Sequence, residues 1–198
     1  AWWMLAAPLL VNRVQRMVLC APLIELADQT LAQPTIKLIS GALRLAGFGK
    51  AYMVGGSRPR ETQPFIGNKL TSDAERYRRN SKLYETHPLL GLGGPTVTWV
   101  NAACRAMAAV ADPEFVSKIQ VPALLIAAGN DKVVSTPAIE NFVRGLRSGA
   151  LVTIDGASHE PDEFPASAEI HYQLGQYVGY LHTQTYPGYG TLLMKNLH

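Results

Sequence analysis

Three short stretches of continuous apolar residues stand out in the hydrophobic pattern of the chain. They are residues 16–23 (RMVLCAPL), 121–128 (VPALLIAA) and 151–154 (LVTI). A run without apolar–polar alternation is typical of a strand that is covered on both faces, as in a parallel sheet. The pattern therefore predicts three parallel strands.

The segment between the second and third runs has the period of a helix. Its apolar positions lie on one helical face, namely Ile139, Phe142, Val143 and Leu146. Thr136 is suited to cap the helix, Pro137 to its first turn and Gly149 to its end. Residues 121–154 are thus predicted to form a strand–helix–strand unit, which implies a right-handed parallel crossover.

The middle of the chain has a different pattern. Helical periodicity is found in residues 35–47, 72–88 and 96–110, and glycines and prolines separate these segments. Ser72 is suited to cap the second helix, with Glu75 completing a capping box. No segment here predicts a strand, so we expect a helical insertion that forms a cap on an α/β sheet.

The pattern divides the chain into three parts. Residues 1–24 and 119–161 are predicted to form the α/β core and residues 25–118 the helical cap, or lid. Residues 162–198 are an atypical tail with five of the eight tyrosines, in which a short amphipathic helix at 169–181 is weakened by two glycines. The first eleven residues are apolar, but this run is too short to span a bilayer.

Composition favours a folded globular domain over a disordered chain. The chain has 198 residues, of which 47% are hydrophobic and 17% charged, and its net charge is +3. Residues 50–82 contain eight Lys and Arg against three Asp and Glu. This basic stretch is either a solvated helix face or a surface that attracts anionic head groups or phosphates.

The cysteines, histidines and glycines predict neither a metal nor a bound cofactor. Cys20 and Cys104 are far apart in sequence and form no disulfide framework and no metal spacing, which favours a reducing, cytoplasmic location. Cys20 lies in an apolar run and is expected to be buried. Residues 91–96 (GLGGPT) do not complete a dinucleotide-binding motif, and no nucleic-acid partner is predicted.

Two side chains follow the carboxyl ends of predicted strands. Asp131 comes after the second strand and His159 after the third, 28 residues later. In an open parallel sheet, ligands bind at this edge, so the two side chains are predicted to form an acid–base pair. Taken singly, Asp131 is equally consistent with a turn and His159 with a solvent-facing loop.

Five sequence segments together resemble a known family. The segments RMVLCAPL, LTSDAERYRRN, HPLLGLGGPTVTWV, VPALLIAAGNDKVV and GASHE resemble α/β-hydrolases of the lysophospholipase and monoacylglycerol-lipase-like group, the serine aminopeptidase S33 type. The likeness covers residues 13–160. It implies a partial α/β-hydrolase fold, with Asp131 as the catalytic acid, His159 as the base and residues 25–118 as a mobile cap over an acyl pocket. Trp99 either lines this pocket or packs as an ordinary helix residue.

The resemblance also implies a serine nucleophile in a G-x-S-x-G elbow just before the first predicted strand. About fifteen residues precede that strand, none of them serine, and they resemble the end of the helix that follows the elbow. Ser57 has Pro59 in place of the last glycine, Ser158 lacks the elbow glycines and Ser135 is better explained as a neighbour of the helix cap. We therefore expect the nucleophile, and the oxyanion-hole donors with it, to lie outside this sequence.

Three functions remain open at this stage. The first is a serine hydrolase that cleaves lipid-like carboxylic esters through an acyl-enzyme, without a cofactor. Its cap is expected to make transient membrane-surface contact, and its exposed sheet edge to allow self-association. The second is a truncated, inactive remnant or interaction subunit, and the third a peptidase or dehalogenase on the same scaffold.

Overall fold

A computed structural model describes residues 2–27, 31–53 and 64–159 of the chain. Three strands form one parallel sheet in the order β1-β2-β3, with β1 at Met17–Cys20, β2 at Ala123–Ala128 and β3 at Gly149–Ile154. The three predicted strands are confirmed. β3 begins two residues before the predicted run, so Gly149 starts a strand and does not end the preceding helix.

The central strand explains the continuous apolar pattern. β2 lies between the other two strands. Its first residue, Ala123, is opposite Met17 of β1 on one side and Gly149 of β3 on the other. All six residues of β2 are buried, because strands lie on both of its sides and side chains cover both of its faces.

The described residues also contain six α-helices. These are α1 (Trp2–Ala6), α2 (Gln33–Leu43), α3 (Ala74–Thr86), α4 (Val97–Val110), α5 (Pro113–Ser117) and α6 (Thr136–Gly145). A π-helical turn at Arg44–Phe48 continues α2, and short 3₁₀ turns occupy Ala7–Leu9 and Pro88–Leu90. The helical character predicted for the middle of the chain is thus confirmed within the described residues, where only isolated bridges pair Leu26 with Val134 and Tyr52 with Thr96.

Two predicted helix caps are wrong by one residue. Ser135, not Thr136, caps α6, and its Oγ accepts a hydrogen bond from the backbone N–H of Ala138 at 3.3 Å. Asp73, not Ser72, caps α3, and the backbone N–H of Arg76 lowers the pKa of its carboxyl. Adjacent polar residues offer equivalent acceptors, so backbone conformation decides which one caps the helix.

The core lies on both faces of the sheet. On one face, Met17 and Leu125 pack with helical residues that include Met4, Ile139 and Phe142. On the other face, a smaller cluster comprises Leu124, Ile126, Ala128, Ile154 and Ala157. The first cluster also contains Val110, at the end of α4, and Val116, in α5. The predicted cap segment therefore ends in helices that pack on the sheet.

The prediction that Cys20 is buried is wrong. Its side chain is exposed. Val18, on the same strand, is also exposed, with 39% of its surface accessible. Both lie on β1, which is an edge strand of the described sheet. Cys104, in α4, is the buried thiol, and burial raises its pKa.

Several predictions fall outside the described residues. They concern Ser57, the tail at 162–198 and its helix at 169–181. The division into core, cap and tail stays a prediction. None of the described helices combines the length and the apolar run that a bilayer crossing requires.

Candidate active site

The loop after β2 fixes one carboxylate firmly. Asp131 Oδ1 accepts hydrogen bonds from the backbone N–H groups of Val133 at 2.7 Å and Val134 at 2.9 Å. Such a side-chain-to-backbone turn is typical of Asp directly after a strand. The carboxylate is therefore held by its own loop through Oδ1, and Oδ2 is left to contact a residue outside this loop.

The loops after β2 and β3 are joined by their backbones. Gly129 N–H donates to the carbonyl of Ile154 at 2.9 Å, and Asn130 N–H donates to the carbonyl of Ala157 at 2.9 Å. A Cβ on Gly129 would lie 3.1 Å from Asp155 Cα, a contact that would push the two backbones slightly apart, so this close approach favours glycine. The two loops therefore keep a fixed distance from one another.

The joined loops bring Asp131 and His159 into contact. His159 Nδ1 lies 3.0 Å from Asp131 Oδ2. The Asp131 side chain is 0% exposed and the His159 side chain 23% exposed. An ionised carboxylate can only accept hydrogen bonds, so Nδ1–H of the imidazole donates and Nε2 is left for other chemistry. The contact predicted between these side chains is present, while their catalytic roles stay a prediction.

Further hydrogen bonds brace the Asp131 loop from behind. Thr136 Oγ1 donates to the carbonyl of Ala128 at 2.7 Å, tying the start of α6 to the end of β2. From the segment after β1, the carbonyl of Glu25 accepts from Ser135 N–H at 2.9 Å, and Ala27 N–H donates to Val133 at 3.0 Å. This bracing was not predicted from the sequence. The adjacent Ser135 and Thr136 at the start of α6 were a local signal for the Thr136 hydrogen bond, whereas the contacts of Glu25 and Ala27 have no local sequence signal.

The remaining candidate residues lie in different settings. Trp99 is on the first turn of α4 with 52% of its surface exposed, and its role as a pocket residue stays a prediction. Ser158 is half-buried next to His159, and Ser135 is occupied as a helix cap. Within the three described ranges, no group of three His, Cys, Asp or Glu side chains is arranged to hold a metal ion.

The chain is similar in sequence to a known protein family and to individual known proteins. Residues 2–161 match the family described as serine aminopeptidase, S33. The chain is similar to lysophospholipase L2 of Escherichia coli strain K12, with 32% identity over 124 residues that cover 57% of this chain and 34% of the relative. It is also similar to a probable lysophospholipase L2 of Haemophilus influenzae, with 26% identity over 124 residues that cover 63% of this chain and 39% of the relative. The matched part is thus between a third and two fifths of these relatives' length.

Solved structures with the same fold include two ester-cleaving enzymes. A soluble variant of monoglyceride lipase from Saccharomyces cerevisiae matches with a TM-score of 0.64 and 18% identity, covering 88% of this chain and 56% of that one. A thermostable carboxyl esterase from Bacillus coagulans matches with a TM-score of 0.62 and 15% identity, covering 88% of this chain and 61% of that one. These structures establish the fold, and the family match extends over most of the chain. The chain therefore belongs to the serine aminopeptidase S33 family and has part of the α/β-hydrolase fold, with sequence similarity to lysophospholipases.

Proposed function

We propose that this chain supplies the acid and the base of a serine hydrolase that cleaves carboxylic esters of the lysophospholipid or monoacylglycerol type. The observation that carries the proposal is the 3.0 Å contact between His159 Nδ1 and Asp131 Oδ2 at the carboxyl edge of the sheet. The Asp131 side chain is buried and accepts hydrogen bonds from two backbone donors, which suits a group that orients the imidazole.

The proposed mechanism uses the free nitrogen of the imidazole. As a serine Oγ attacks the ester carbonyl, His159 Nε2 takes the hydroxyl proton and Asp131 stabilises the imidazolium. His159 then returns the proton to the departing alcohol, which leaves an acyl-enzyme. Water, deprotonated by the same nitrogen, attacks the acyl carbon, and His159 returns that proton to serine Oγ as the acyl–Oγ bond breaks and the acid is released.

The nucleophile is proposed to lie on a segment outside these 198 residues. None of the serines in the sequence stands in a G-x-S-x-G context. Ser158 lies beside the base in sequence and follows Gly156 by two residues, but Glu160 stands in place of the second glycine of an elbow. Two relatives are lysophospholipases by name and a structural neighbour is a monoglyceride lipase, which favours lipid esters as substrates.

We further propose transient contact of the cap with a lipid surface. Leu89 and Leu92, which follow α3, are each 79% exposed, and Leu90 between them is 57% exposed. α3 itself carries three arginines and a lysine against two glutamates. Exposed leucines beside basic groups suit an anionic membrane surface. Binding to phosphatidylglycerol vesicles should weaken when Leu89 and Leu92 are both changed to Ser, and unchanged binding would refute this contact.

The alternative function is an inactive interaction subunit. Edge strand β1 has an exposed Val18, a feature that favours pairing with another strand. On this alternative the isolated chain self-associates, and the Val18→Lys substitution restores a monomer. Size-exclusion chromatography measures both states. A wild-type chain that is monomeric and melts cooperatively would argue against it. The cytoplasmic location stays a prediction from cysteine usage.

The decisive experiment compares two products of the same gene. The 198-residue chain and a longer product that includes the upstream coding sequence are treated with a fluorophosphonate probe. We expect labelling of the longer product at a serine that precedes residue 1, and no labelling of the 198-residue chain. Labelling of the short chain, at Ser57 or Ser158, would contradict the assignment of the nucleophile.

Substrate class is tested on the longer product. We expect hydrolysis of monoacylglycerol and lysophospholipid esters and little hydrolysis of aminoacyl amides, which would be the preferred substrates of a peptidase. His159→Gln should abolish ester hydrolysis while leaving folding intact. An active His159→Gln enzyme would overturn the proposed base, and a longer product that hydrolyses neither class would favour the inactive alternative.

A further inference from the structure

A groove between α2 and α4 lies apart from the Asp131–His159 pair. One wall is formed by α2 and the π-helical turn that continues it, with residues at helical spacing that share one face: Pro34, Lys37, Leu38, Gly41, Ala42 and Leu45. Asn101 and Arg105, one turn apart on α4, line the other side. The groove has a volume of about 560 Å³, within the range of ~300–1,000 Å³ that is typical of small-molecule sites.

Three exposed cations border this groove. Lys37, Arg44 and Arg105 all line it, and none of them forms an ion pair within the described part of the chain. Neither α2, the π-helical turn nor α4 contains an Asp or Glu. The positive charge is therefore not compensated locally, and it favours an anionic ligand.

The same groove exposes two large apolar side chains. Leu38, on α2, is 74% exposed and Leu45, on the π-helical turn that continues α2, is 88% exposed, although both line the groove. An alkyl chain lying along this face would remove them from water. Cations beside an apolar face suit an amphiphile better than a small inorganic anion.

Asn101 adds a third requirement. It is only 7% exposed, and its Nδ2 donates to the carbonyl of Lys37 at 3.0 Å and to Ser40 Oγ at 3.2 Å. Its Oδ1 receives no hydrogen bond from the described residues. Because Asn101 lines the groove and its Oδ1 has no donor among the described residues, a ligand hydroxyl that donates to Oδ1 would supply the missing hydrogen bond.

We propose that this groove binds the monomer of a single-chain glycerophospholipid with an anionic head group. The phosphate lies among Lys37, Arg44 and Arg105, the alkyl chain lies against the two leucines, and a glycerol hydroxyl donates to Asn101 Oδ1. None of the lining residues belongs to the loops that carry Asp131 and His159. The proposal concerns binding alone and does not rest on the proposed hydrolysis.

The test is calorimetric titration of the 198-residue chain with ether-linked lysophosphatidylglycerol below its critical micelle concentration. The ether link prevents hydrolysis, so the result is independent of any esterase activity. We expect saturable binding of one lipid. The double variant Lys37→Gln/Arg105→Gln should bind about tenfold more weakly, because two exposed ion pairs are lost, and Leu45→Ser should also weaken binding. Arg147→Gln and Leu9→Ser are matched exposed controls that should bind as the unchanged chain does.

Ligand variants test the remaining two contacts. Monoalkylglycerol, which is neutral, should bind weakly, and so should the phospholipid with its glycerol hydroxyls methylated. Oleate, an anion without the hydroxyl, should be intermediate. The proposal is overturned if binding occurs only above the micelle concentration, if the double variant binds like the unchanged chain, or if the neutral lipid binds as tightly as the anionic one.

Discussion

The strand-end loops and the α2–α4 groove differ in how their polar groups are satisfied. In the loops, the Asp131 carboxylate has three protein partners, namely two backbone N–H groups and the His159 imidazole. In the groove, Lys37, Arg44 and Arg105 have no ion-pair partner among the described residues. A catalytic group is useful when the protein fixes it in advance, whereas a recognition surface keeps charges available for a ligand.

The largest effect is expected at the fixed carboxylate. In the longer, serine-containing product, Asp131→Asn should lower kcat by about 10⁴-fold, because an amide that donates its N–H to Nδ1 favours the wrong tautomer. Ester hydrolysis assays measure this directly. Asp155→Asn, an exposed acid in the neighbouring loop, is the matched control and should keep full activity. A small loss at Asp131 would remove the distinction between the two regions.

The second effect contrasts the packing of the two regions. Leu125, at the centre of β2, is 0% exposed, and Leu45, in the groove, is 88% exposed. Leu125→Ala should destabilise the fold by about 2–5 kcal/mol because it opens a cavity. Leu45→Ala should change the free energy of unfolding by less than about 0.5 kcal/mol. Urea denaturation compares them, and similar losses would show that the groove face is covered in the folded protein.

The third effect concerns the close approach of the loops. Gly129→Ala places a methyl group 3.1 Å from Asp155 Cα and 3.2 Å from the Ile154 carbonyl, and both are backbone atoms that cannot yield by a side-chain rotation. We expect a loss of about 1–3 kcal/mol in unfolding free energy, together with lower activity. Asn130→Ala, an exposed neighbour in the same turn, should be nearly neutral. Equal effects in thermal melts would contradict the account of Gly129.

The smallest effect is expected at Trp99. Since its ring is half exposed on α4, Trp99→Ala should raise KM for long-chain esters by about threefold to tenfold through lost apolar contact, with little change in kcat. Short-chain esters serve as the control and should be unaffected. If both chain lengths respond alike, Trp99 is an ordinary packing residue.

The strands and the acid–base pair were predictable because local pattern and chain order determine them. The continuous apolar run in β2 follows from burial on both faces, and the placement of Asp131 and His159 follows from the parallel order of their strands. An Asp after a strand also carries a local signal for the turn that its carboxylate forms with the Val133 and Val134 amides.

Other features depend on tertiary context and could not be derived in this way. Cys20 has a buried sequence pattern but lies on an edge strand of the described sheet. The bracing of the Asp131 loop by Glu25 and Ala27 joins segments more than a hundred residues apart. The face of α2 that lines the groove was readable from its spacing, but the pairing of that face with Arg105 on α4 required the structure.

The tautomer of His159 tests the central claim most directly, and it needs no nucleophile. Nitrogen-15 NMR of the imidazole in the 198-residue chain reports which ring nitrogen carries the proton in the neutral form. The account predicts the Nδ1–H tautomer, with Nε2 unprotonated, and a change of this signal in Asp131→Asn. A neutral His159 protonated at Nε2, with a spectrum that Asp131→Asn leaves unaltered, would contradict it.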